Sequence, residues 1–200
     1  MKRIGIFGGT FNPIHNGHLI LAEAARQNCC LEEVLLIPSG CSYMKDQREI
    51  LPGKIRLEMA RLAALDNPYF TVSDIEINRA GYSYTSETLK QLRRKMPDAR
   101  LYYIIGADTL FHMENWKNPE QIFSDCVLVA AVRDGWENAR MERQISYLTD
   151  KYHADIRLLP SLHIEISSTE IRNRCRKNLS IRYLVPESVR LFLEQNGYYS

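Results

Sequence analysis

The sequence predicts an α/β fold with a doubly wound parallel sheet and a small helical C-terminal lobe. Short apolar runs rich in β-branched residues alternate with segments whose apolar residues recur every three or four positions, as in successive β-α-β units. Glycines and polar residues follow several of these runs, at the strand ends where such sheets hold their ligands. The 200 residues suit a single domain. We place the helical lobe at about residues 167–200.

Six runs are predicted to be strands, because each is short, apolar and bounded by turn residues. They cover residues 3–8, 34–38, 70–77, 101–105, 126–132 and 155–159. The segments between consecutive runs are long enough to hold the crossover helices that a parallel sheet requires.

Four helices have recognisable signals. Two contain apolar residues at helical spacing, which predicts that these residues face the core. A third is predicted to have Ser168 or Thr169 as its N-cap and to run through Asn178, and a last one to open at Pro186 and close at Gly197. The spaced residues are Ile55, Met59 and Leu62 in the first helix and Leu89 and Leu92 in the second.

Composition excludes several classes of protein. Apolar residues make up 45% of the chain and charged residues 25%, as in ordinary globular proteins. A net charge of +2 is too small to indicate a nucleic-acid or membrane partner, so we expect neither. The five cysteines include no C-x-x-C pair, which indicates reduced thiols. The first apolar run is too short for a signal sequence or a membrane span, so a cytoplasmic protein is expected. Composition does not indicate an oligomeric state.

The most informative segment is the glycine-histidine loop, Gly8-Gly9-Thr10-Phe11-Asn12-Pro13-Ile14-His15-Asn16-Gly17-His18. Paired glycines let the backbone approach a ligand closely, and the N-terminus of the following helix offers free N–H groups to an anion. If His15 and His18 both lie in the first helical turn, their rings emerge on one face with Gly17 leaving it bare between them. Two imidazole donors could then stabilise charge on a transferring phosphoryl group and its pyrophosphate.

Other phosphate-binding patterns fit this loop poorly. Neither G-x-G-x-x-G nor G-x-x-x-x-G-K-[ST] occurs, which disfavours a dehydrogenase and a P-loop protein. An isolated H-x-x-H is more often a tight turn with surface histidines. Here the glycine pair, the proline and the position between a strand and a helix favour the phosphate site.

A second candidate phosphate motif is Ser167-Ser168-Thr169-x-x-Arg172. It places hydroxyls and free N–H groups at a helix start, and an arginine one turn later whose fork can reach the same anion. Alone, the segment would be a plain N-cap with a surface arginine. Together with the glycine-histidine loop, it favours binding of a triphosphate.

Three further sites are candidates for substrate recognition. In Gly106-Ala107-Asp108, the aspartate could accept hydrogen bonds from ribose hydroxyls or cap the next helix. Trp116 lies in a polar stretch predicted to be a loop, where its ring could stack on a flat ligand or fill the core. Tyr84 and Thr85 open a predicted helix whose unpaired N–H groups could hold a carboxylate.

Taken together, these motifs resemble the bacterial nicotinate-nucleotide adenylyltransferases, whose signature is a glycine-rich strand end followed by H-x-G-H. The resemblance continues through residues 79–85, 106–108, 116, 166–172 and 183–186, so it covers nearly the whole chain. It implies a Rossmann-like nucleotidyltransferase domain over residues 1–200. It also implies adenylyl transfer from ATP to nicotinate mononucleotide in NAD biosynthesis, giving nicotinate adenine dinucleotide and pyrophosphate. Mg²⁺ is expected, held mainly by the ATP phosphates and with no protein ligand, because the sequence offers no carboxylate cluster.

The resemblance and the motif chemistry together assign a role to each candidate residue. The catalytic residues are expected to be His15, His18 and Arg172. The expected ATP contacts are Gly8, Gly9, Thr10, Phe11, His15, Gly17, His18, Gly106, Asp108, Arg133, Ser167, Ser168, Thr169 and Arg172. The expected acceptor contacts are Thr10, Asn12, Lys45, Tyr84, Thr85 and Trp116.

The chain departs from the family pattern in two places. Ser42-Tyr43-Met44-Lys45 stands where Pro-Pro-His-Lys is usual, so contacts to the acceptor's phosphate or pyridine can differ there. Asn12 stands where many relatives have aspartate and keeps a hydrogen-bonding side chain. Alternatives remain open. The acceptor could be nicotinamide mononucleotide or another phosphate such as phosphopantetheine, and the chain could be a nucleotide sensor without turnover.

Overall fold

A computed structural model describes residues 1–41, 49–132, 138–160 and 165–200. Strands and helices alternate along this part of the chain. The strands are β1 (Lys2–Gly9), β2 (Glu33–Pro38), β3 (Phe70–Val72), β4 (Ala99–Gly106), β5 (Val127–Val132) and β6 (Ile156–Pro160). The α-helices are α1 (Asn16–Asn28), α2 (Gly53–Ala64), α3 (Thr85–Lys95), α4 (Pro119–Asp125), α5 (Asn138–Tyr152), α6 (Ser168–Arg176) and α7 (Glu187–Asn196). Two 3₁₀ helices cover Ala107–Phe111 and Met113–Asn115.

The six strands form one parallel sheet in the order β3-β2-β1-β4-β5-β6. Strand β1 pairs with β4 in the register Lys2 to Ala99 and Ile6 to Tyr103, and β4–β5 and β5–β6 are likewise parallel. Since the strand order runs outward from β1 in both directions, the sheet is doubly wound. The predicted α/β class with a doubly wound parallel sheet is therefore confirmed.

The chain divides into two compact units. The first unit comprises Met1–Phe7, Leu21–Val34 and Ser83–His163, and the second comprises Gly8–Ile20, Leu35–Tyr82 and Ile164–Ser200. Helices α6 and α7, which form the predicted C-terminal lobe, belong to the second unit. The expectation of a single domain with a lobe at residues 167–200 stays a prediction.

Three of the five residues that helical spacing predicts to face the core are buried. In the first unit, Leu89 and Leu92 of α3 are buried, as their spacing predicts. In the second unit, Met59 is buried, whereas Ile55 and Leu62 are only half-buried at the edge of α2. Helices α2 and α7 pack together there, and the Ser188 hydroxyl of α7 donates to the Leu62 carbonyl at 3.0 Å.

Two element boundaries differ from the predictions. Strand β3 ends at Val72, not at residue 77, because polar side chains bend the backbone that follows. The Asn78 backbone N–H donates to the Asp74 carbonyl at 3.0 Å, and the Asn78 amide donates to the Asp74 carboxylate at 2.7 Å. Helix α6 is capped by Ser167, not by Ser168 or Thr169, and it ends at Arg176. Helix α7 closes at Gly197 with φ 63°, as predicted.

Among the described residues, no helix is both long enough and apolar enough to cross a membrane.

Candidate active site

The glycine-histidine loop leaves β1 as irregular backbone and enters α1 at Asn16. Phe11 has a left-handed backbone (φ 49°) and is 2% exposed, so its ring folds back under the loop. A Cβ atom on Gly9 would stand 2.7 Å from the Phe11 ring, closer than side-chain carbons approach. The glycine at this position is therefore required by the buried ring.

The two histidines are joined by a reciprocal arrangement at the start of α1. The His15 carbonyl accepts from the His18 backbone N–H at 2.9 Å, and the His15 backbone N–H donates to His18 Nδ1 at 3.2 Å. Only the second of these bonds belongs to a capping box, in which the side chain of the third helical residue, here His18, accepts from the backbone N–H of the N-cap residue, here His15. His18 lies in the first turn of α1, whereas His15 immediately precedes the helix.

This capping contact determines which nitrogen of His18 carries the proton. Because Nδ1 accepts a hydrogen bond, the neutral ring must hold its hydrogen on Nε2. The His15 and His18 rings stack with centroids 3.6 Å apart, and the Phe11 ring meets His18 edge-on at 5.1 Å. A Cβ atom on Gly17 would lie 3.2 Å from His15 Nδ1, so glycine leaves room for the stacked rings.

His15 is neutral at physiological pH. The residue is 6% exposed, and burial lowers the pKa of its imidazole to about 4, with a small opposing effect from a backbone hydrogen bond. Its Nδ1 atom is buried and has no hydrogen-bond partner among the described residues. Buried polar atoms are nearly always paired in folded proteins, so an unpaired one here is suited to meet a ligand.

The second motif contacts the glycine-histidine loop directly. The Ser168 hydroxyl donates to the Pro13 carbonyl at 2.9 Å, and Arg172 Nη1 donates to the Asn12 carbonyl at 3.0 Å. The Arg172 side chain is 12% exposed and lies 3.6 Å from the Glu49 carboxylate. Its Nε atom is buried without a partner in the described part of the chain. The arginine is thus held in place with donor capacity remaining.

Three residues that the sequence analysis did not identify support the glycine-histidine loop. Arg56 is 2% exposed, and its guanidinium donates to the carbonyls of Leu51 (2.8 Å), Thr10 (2.7 Å) and Gly40 (3.2 Å). The Ser39 backbone N–H donates to the Gly9 carbonyl at 2.8 Å. Tyr199 donates to the Asn12 side chain at 2.6 Å. Local spacing cannot reveal these contacts, since each links the loop to a distant part of the sequence.

In the first unit, Gly106 ends β4 and Asp108 follows it, and both are predicted adenosine contacts. Gly106 is exposed, and a Cβ atom there would meet nothing within 4 Å, which leaves open space above the strand end. Asp108 is exposed in the 3₁₀ helix Ala107–Phe111, and no side chain caps that helix. Asp108 therefore does not cap this 3₁₀ helix.

Residues from two elements of the first unit, β4 and α3, lie near Trp116. The Tyr103 ring meets the half-buried Trp116 ring edge-on at 6.4 Å, and the Tyr103 hydroxyl lies 3.3 Å from the Thr85 hydroxyl. No side chain caps the start of α3 at Tyr84. Among the described residues, nothing pairs with the Trp116 indole N–H. The aromatic ring and the uncapped helix start, which the sequence singled out separately, thus belong to one neighbourhood.

Comparisons with known proteins show the family to which the chain belongs. A family model described as cytidylyltransferase-like matches residues 6–174. A protein of Lachnoclostridium phytofermentans, named "Probable nicotinate-nucleotide adenylyltransferase", is 44% identical over 199 residues and covers 100% of both chains. A protein of the same name from Moorella thermoacetica is 40% identical and covers 98% of this chain and 91% of its own. This chain belongs to the nicotinate-nucleotide adenylyltransferase family.

Solved structures agree on the fold. A Plasmodium falciparum nicotinic acid mononucleotide adenylyltransferase complexed with NaAD aligns over 100% of this chain and 98% of its own, with a TM-score of 0.79 and 17% identity. The same enzyme complexed with APC gives a TM-score of 0.78. At this identity, the likeness shows only that the two chains have the same fold.

Two residues expected from the family pattern, Lys45 and Arg133, lie outside the described residues, as does the rest of the Ser42-Tyr43-Met44-Lys45 segment. Within the described ranges, no three histidine, cysteine or acidic side chains come together in a way that could hold a metal ion.

Proposed function

We propose that this chain transfers the adenylyl group of ATP to nicotinate mononucleotide, giving nicotinate adenine dinucleotide and pyrophosphate. The observation that carries the proposal is the joined phosphate site of the second unit. There the Asn12–Pro13 turn accepts hydrogen bonds from Arg172 and Ser168, next to the stacked His15 and His18. Family membership at 44% identity over the full chain supports the same reaction.

The chemical step needs positioning and charge stabilisation more than proton transfer. A phosphate oxygen of the mononucleotide attacks the α-phosphorus of ATP, forming one O–P bond. The bond from that phosphorus to the bridging oxygen breaks, and the oxygen leaves with pyrophosphate. The attacking phosphate is already ionised at pH 7, so no general base is required. Negative charge grows on the leaving oxygen, and fixed donors aimed there lower the barrier.

The donors proposed for this charge are His18 and Arg172. His18 presents its Nε2 hydrogen because its Nδ1 is engaged by the His15 backbone. Arg172 has a buried Nε–H without a partner among the described residues, and it offers a planar fork that suits phosphate oxygens. His15 and the hydroxyls of Ser167 to Thr169 complete the proposed triphosphate contacts, with Gly8 to Phe11 and Gly17 contributing backbone.

We also propose that Mg²⁺ accompanies ATP. The donor set of the phosphate site is made of imidazoles, hydroxyls and an arginine, none of which is a preferred Mg²⁺ ligand. The ion would therefore be held by triphosphate oxygens and water. When bound there, it neutralises part of the triphosphate charge.

The acceptor is proposed to be chosen in the first unit. The start of α3 at Tyr84 and Thr85 offers backbone N–H groups at the positive end of a helix, which favours a carboxylate over a neutral amide. The Trp116 ring is proposed to stack on the pyridine, while Gly106 and Asp108 contact the adenosine. Thr10 is proposed to touch the acceptor. Asn12 is proposed to act indirectly, since its side chain bonds to Glu49, Leu51 and Tyr199.

The deciding experiment supplies purified protein with ATP and Mg²⁺ and one acceptor at a time, while pyrophosphate release is measured. The acceptors are nicotinate mononucleotide, nicotinamide mononucleotide and phosphopantetheine. We expect rapid release with the first, much slower release with the second and none with the third. A His18→Asn variant serves as the matched low-activity control.

Each alternative predicts a different result in the same assay. Preference for nicotinamide mononucleotide or phosphopantetheine would change the assigned acceptor but keep the reaction. ATP binding without pyrophosphate release with any acceptor would identify a nucleotide sensor and refute the enzyme.

A further inference from the structure

Tyr199 is joined to the glycine-histidine loop by a short, half-buried hydrogen bond. Its hydroxyl donates to Asn12 Oδ1 at 2.6 Å, across 187 positions of sequence. The turn after α7 directs it there: Gly197 is left-handed, and the Tyr198 N–H returns to the Leu193 carbonyl at 3.1 Å. Tyr199 itself has φ 67°, which costs a non-glycine residue conformational energy. A strained residue that makes one specific bond is a candidate for a functional role.

Asn12 is the residue through which such a role would act. It is 4% exposed, its amide donates to the Glu49 carbonyl at 2.9 Å, and its Oδ1 also accepts from the Leu51 N–H at 3.1 Å. Its backbone carbonyl accepts from Arg172 at 3.0 Å. Fixing the side chain of Asn12 therefore fixes the carbonyl that orients Arg172.

The Tyr199 hydroxyl is available as a donor at any working pH. Burial raises the pKa of its phenol above the usual range, and the positive charges of Arg172 and Arg56 offset only part of that rise. The hydroxyl thus keeps its hydrogen and donates it to the Asn12 oxygen. The two arginines also show that the phenol lies among the groups that hold the loop.

We propose that Tyr199 is a positioning residue for adenylyl transfer, whose hydroxyl holds Asn12 and thereby the Arg172 guanidinium. This inference rests on the proposed function. It predicts that loss of the hydroxyl affects the transition state, where Arg172 meets growing charge, more than the binding of ATP.

The test compares Tyr199→Phe with Tyr198→Phe, which removes a hydroxyl from the neighbouring residue, whose ring lies 5.6 Å from that of Phe192. For Tyr199→Phe we expect kcat to fall roughly tenfold, as loss of one net hydrogen bond at the transition state produces, with the KM for ATP within about twofold of wild type. The melting temperature should stay close to that of wild type, because Leu51 still pairs with Asn12. Tyr198→Phe should match wild type in kcat and KM.

An Arg172→Lys background separates positioning from general stability. If Tyr199 acts through the guanidinium, adding Tyr199→Phe to Arg172→Lys should lower kcat by less than about twofold, because coupled residues are not additive. A full tenfold loss in that background would overturn the proposal. Unchanged kcat in Tyr199→Phe, or a chain that fails to fold, would also overturn it. Wild-type pyrophosphate release is measured alongside, and its absence would instead refute the proposed function.

Discussion

At the scale of single residues, the two ring nitrogens of His18 have separable roles. His18 Nδ1 caps the helix, whereas its Nε2 hydrogen is proposed to meet the triphosphate. Asparagine can place an acceptor where Nδ1 is, and glutamine can place a donor near Nε2. Asparagine therefore keeps the acceptor and removes the donor.

His18→Asn is expected to lower kcat by roughly 10²-fold, as removal of a preorganised donor does, while the melting temperature stays near that of wild type. His18→Gln should retain more turnover than His18→Asn because its amide N–H can stand near the position of Nε2, and its stability should also stay near that of wild type because glutamine at the third helical position can accept from the N-cap N–H. Steady-state pyrophosphate release and thermal melts of both variants check the pair. Equal kcat for His18→Asn and wild type would remove His18 from the step.

The buried imidazole of His15 should make stability depend on pH. Its pKa is about 4 in the folded chain and about 6.5 when unfolded. Below pH 6.5 the unfolded chain gains a proton that the folded chain does not, so stability falls as the pH falls toward 4. This group should lower the free energy of unfolding by about 2 kcal/mol between pH 7 and pH 5.

Urea denaturation at both pH values tests this dependence. His15→Asn, which cannot gain the proton, should lose less stability than wild type over that interval. Replacement of the exposed His112 by asparagine should keep the wild-type difference. Identical pH dependence in His15→Asn and wild type would contradict a depressed imidazole pKa.

At the scale of elements, helix α2 holds the glycine-histidine loop through one side chain. Arg56 reaches from α2 to the Thr10, Gly40 and Leu51 carbonyls, and no other residue type offers a planar fork of this shape. Burial lowers the pKa of its guanidinium, yet arginine stays charged. The helix therefore serves both as packing for α7 and as an anchor for the loop.

Arg56→Lys is expected to lower the free energy of unfolding by about 2–4 kcal/mol, because lysine leaves at least one buried carbonyl unpaired. It should also raise the KM for ATP, since Thr10 loses its anchor. The same change at Arg61, whose side chain is 54% exposed on α2, should cost less than about 0.5 kcal/mol. Denaturant titration and ATP kinetics of both variants measure this, and equal effects would contradict the anchoring role.

At the scale of the whole molecule, ATP should stabilise the fold because it binds the folded chain and not the unfolded one. Saturating MgATP at about 100 times its Kd should add about 2.7 kcal/mol, which for a chain of this size raises the melting temperature by roughly 5–10 °C. Chelating Mg²⁺ should reduce the rise, because the uncompensated triphosphate binds more weakly. Arg172→Ala should abolish most of it. If neither Mg²⁺ chelation nor Arg172→Ala reduces the rise in melting temperature, ATP binds at a different site.

Sequence reasoning succeeded where the signal is local. The loop between β1 and α1, the helix that begins at the Ser167–Arg172 motif and the presence of six strands are each indicated by neighbouring residues, and the sequence predicts them. The N-cap of α6 was misplaced because three consecutive hydroxyl residues are equally able to cap. Arg56 and Tyr199 were missed because their bonds span 46 and 187 positions. The roles of the site residues and the cytoplasmic location stay predictions.

The contacts of Asn12 also bear on how the protein is made. Its partners lie 37, 39, 160 and 187 positions later in the sequence. Loops of that length are closed late in folding, since chain entropy opposes contacts between distant residues. A growing polypeptide that has reached only residue 160 already contains both histidines, yet it lacks Arg172 and Tyr199. The nucleotide site is therefore expected to mature last, after the strands of the sheet have been synthesised.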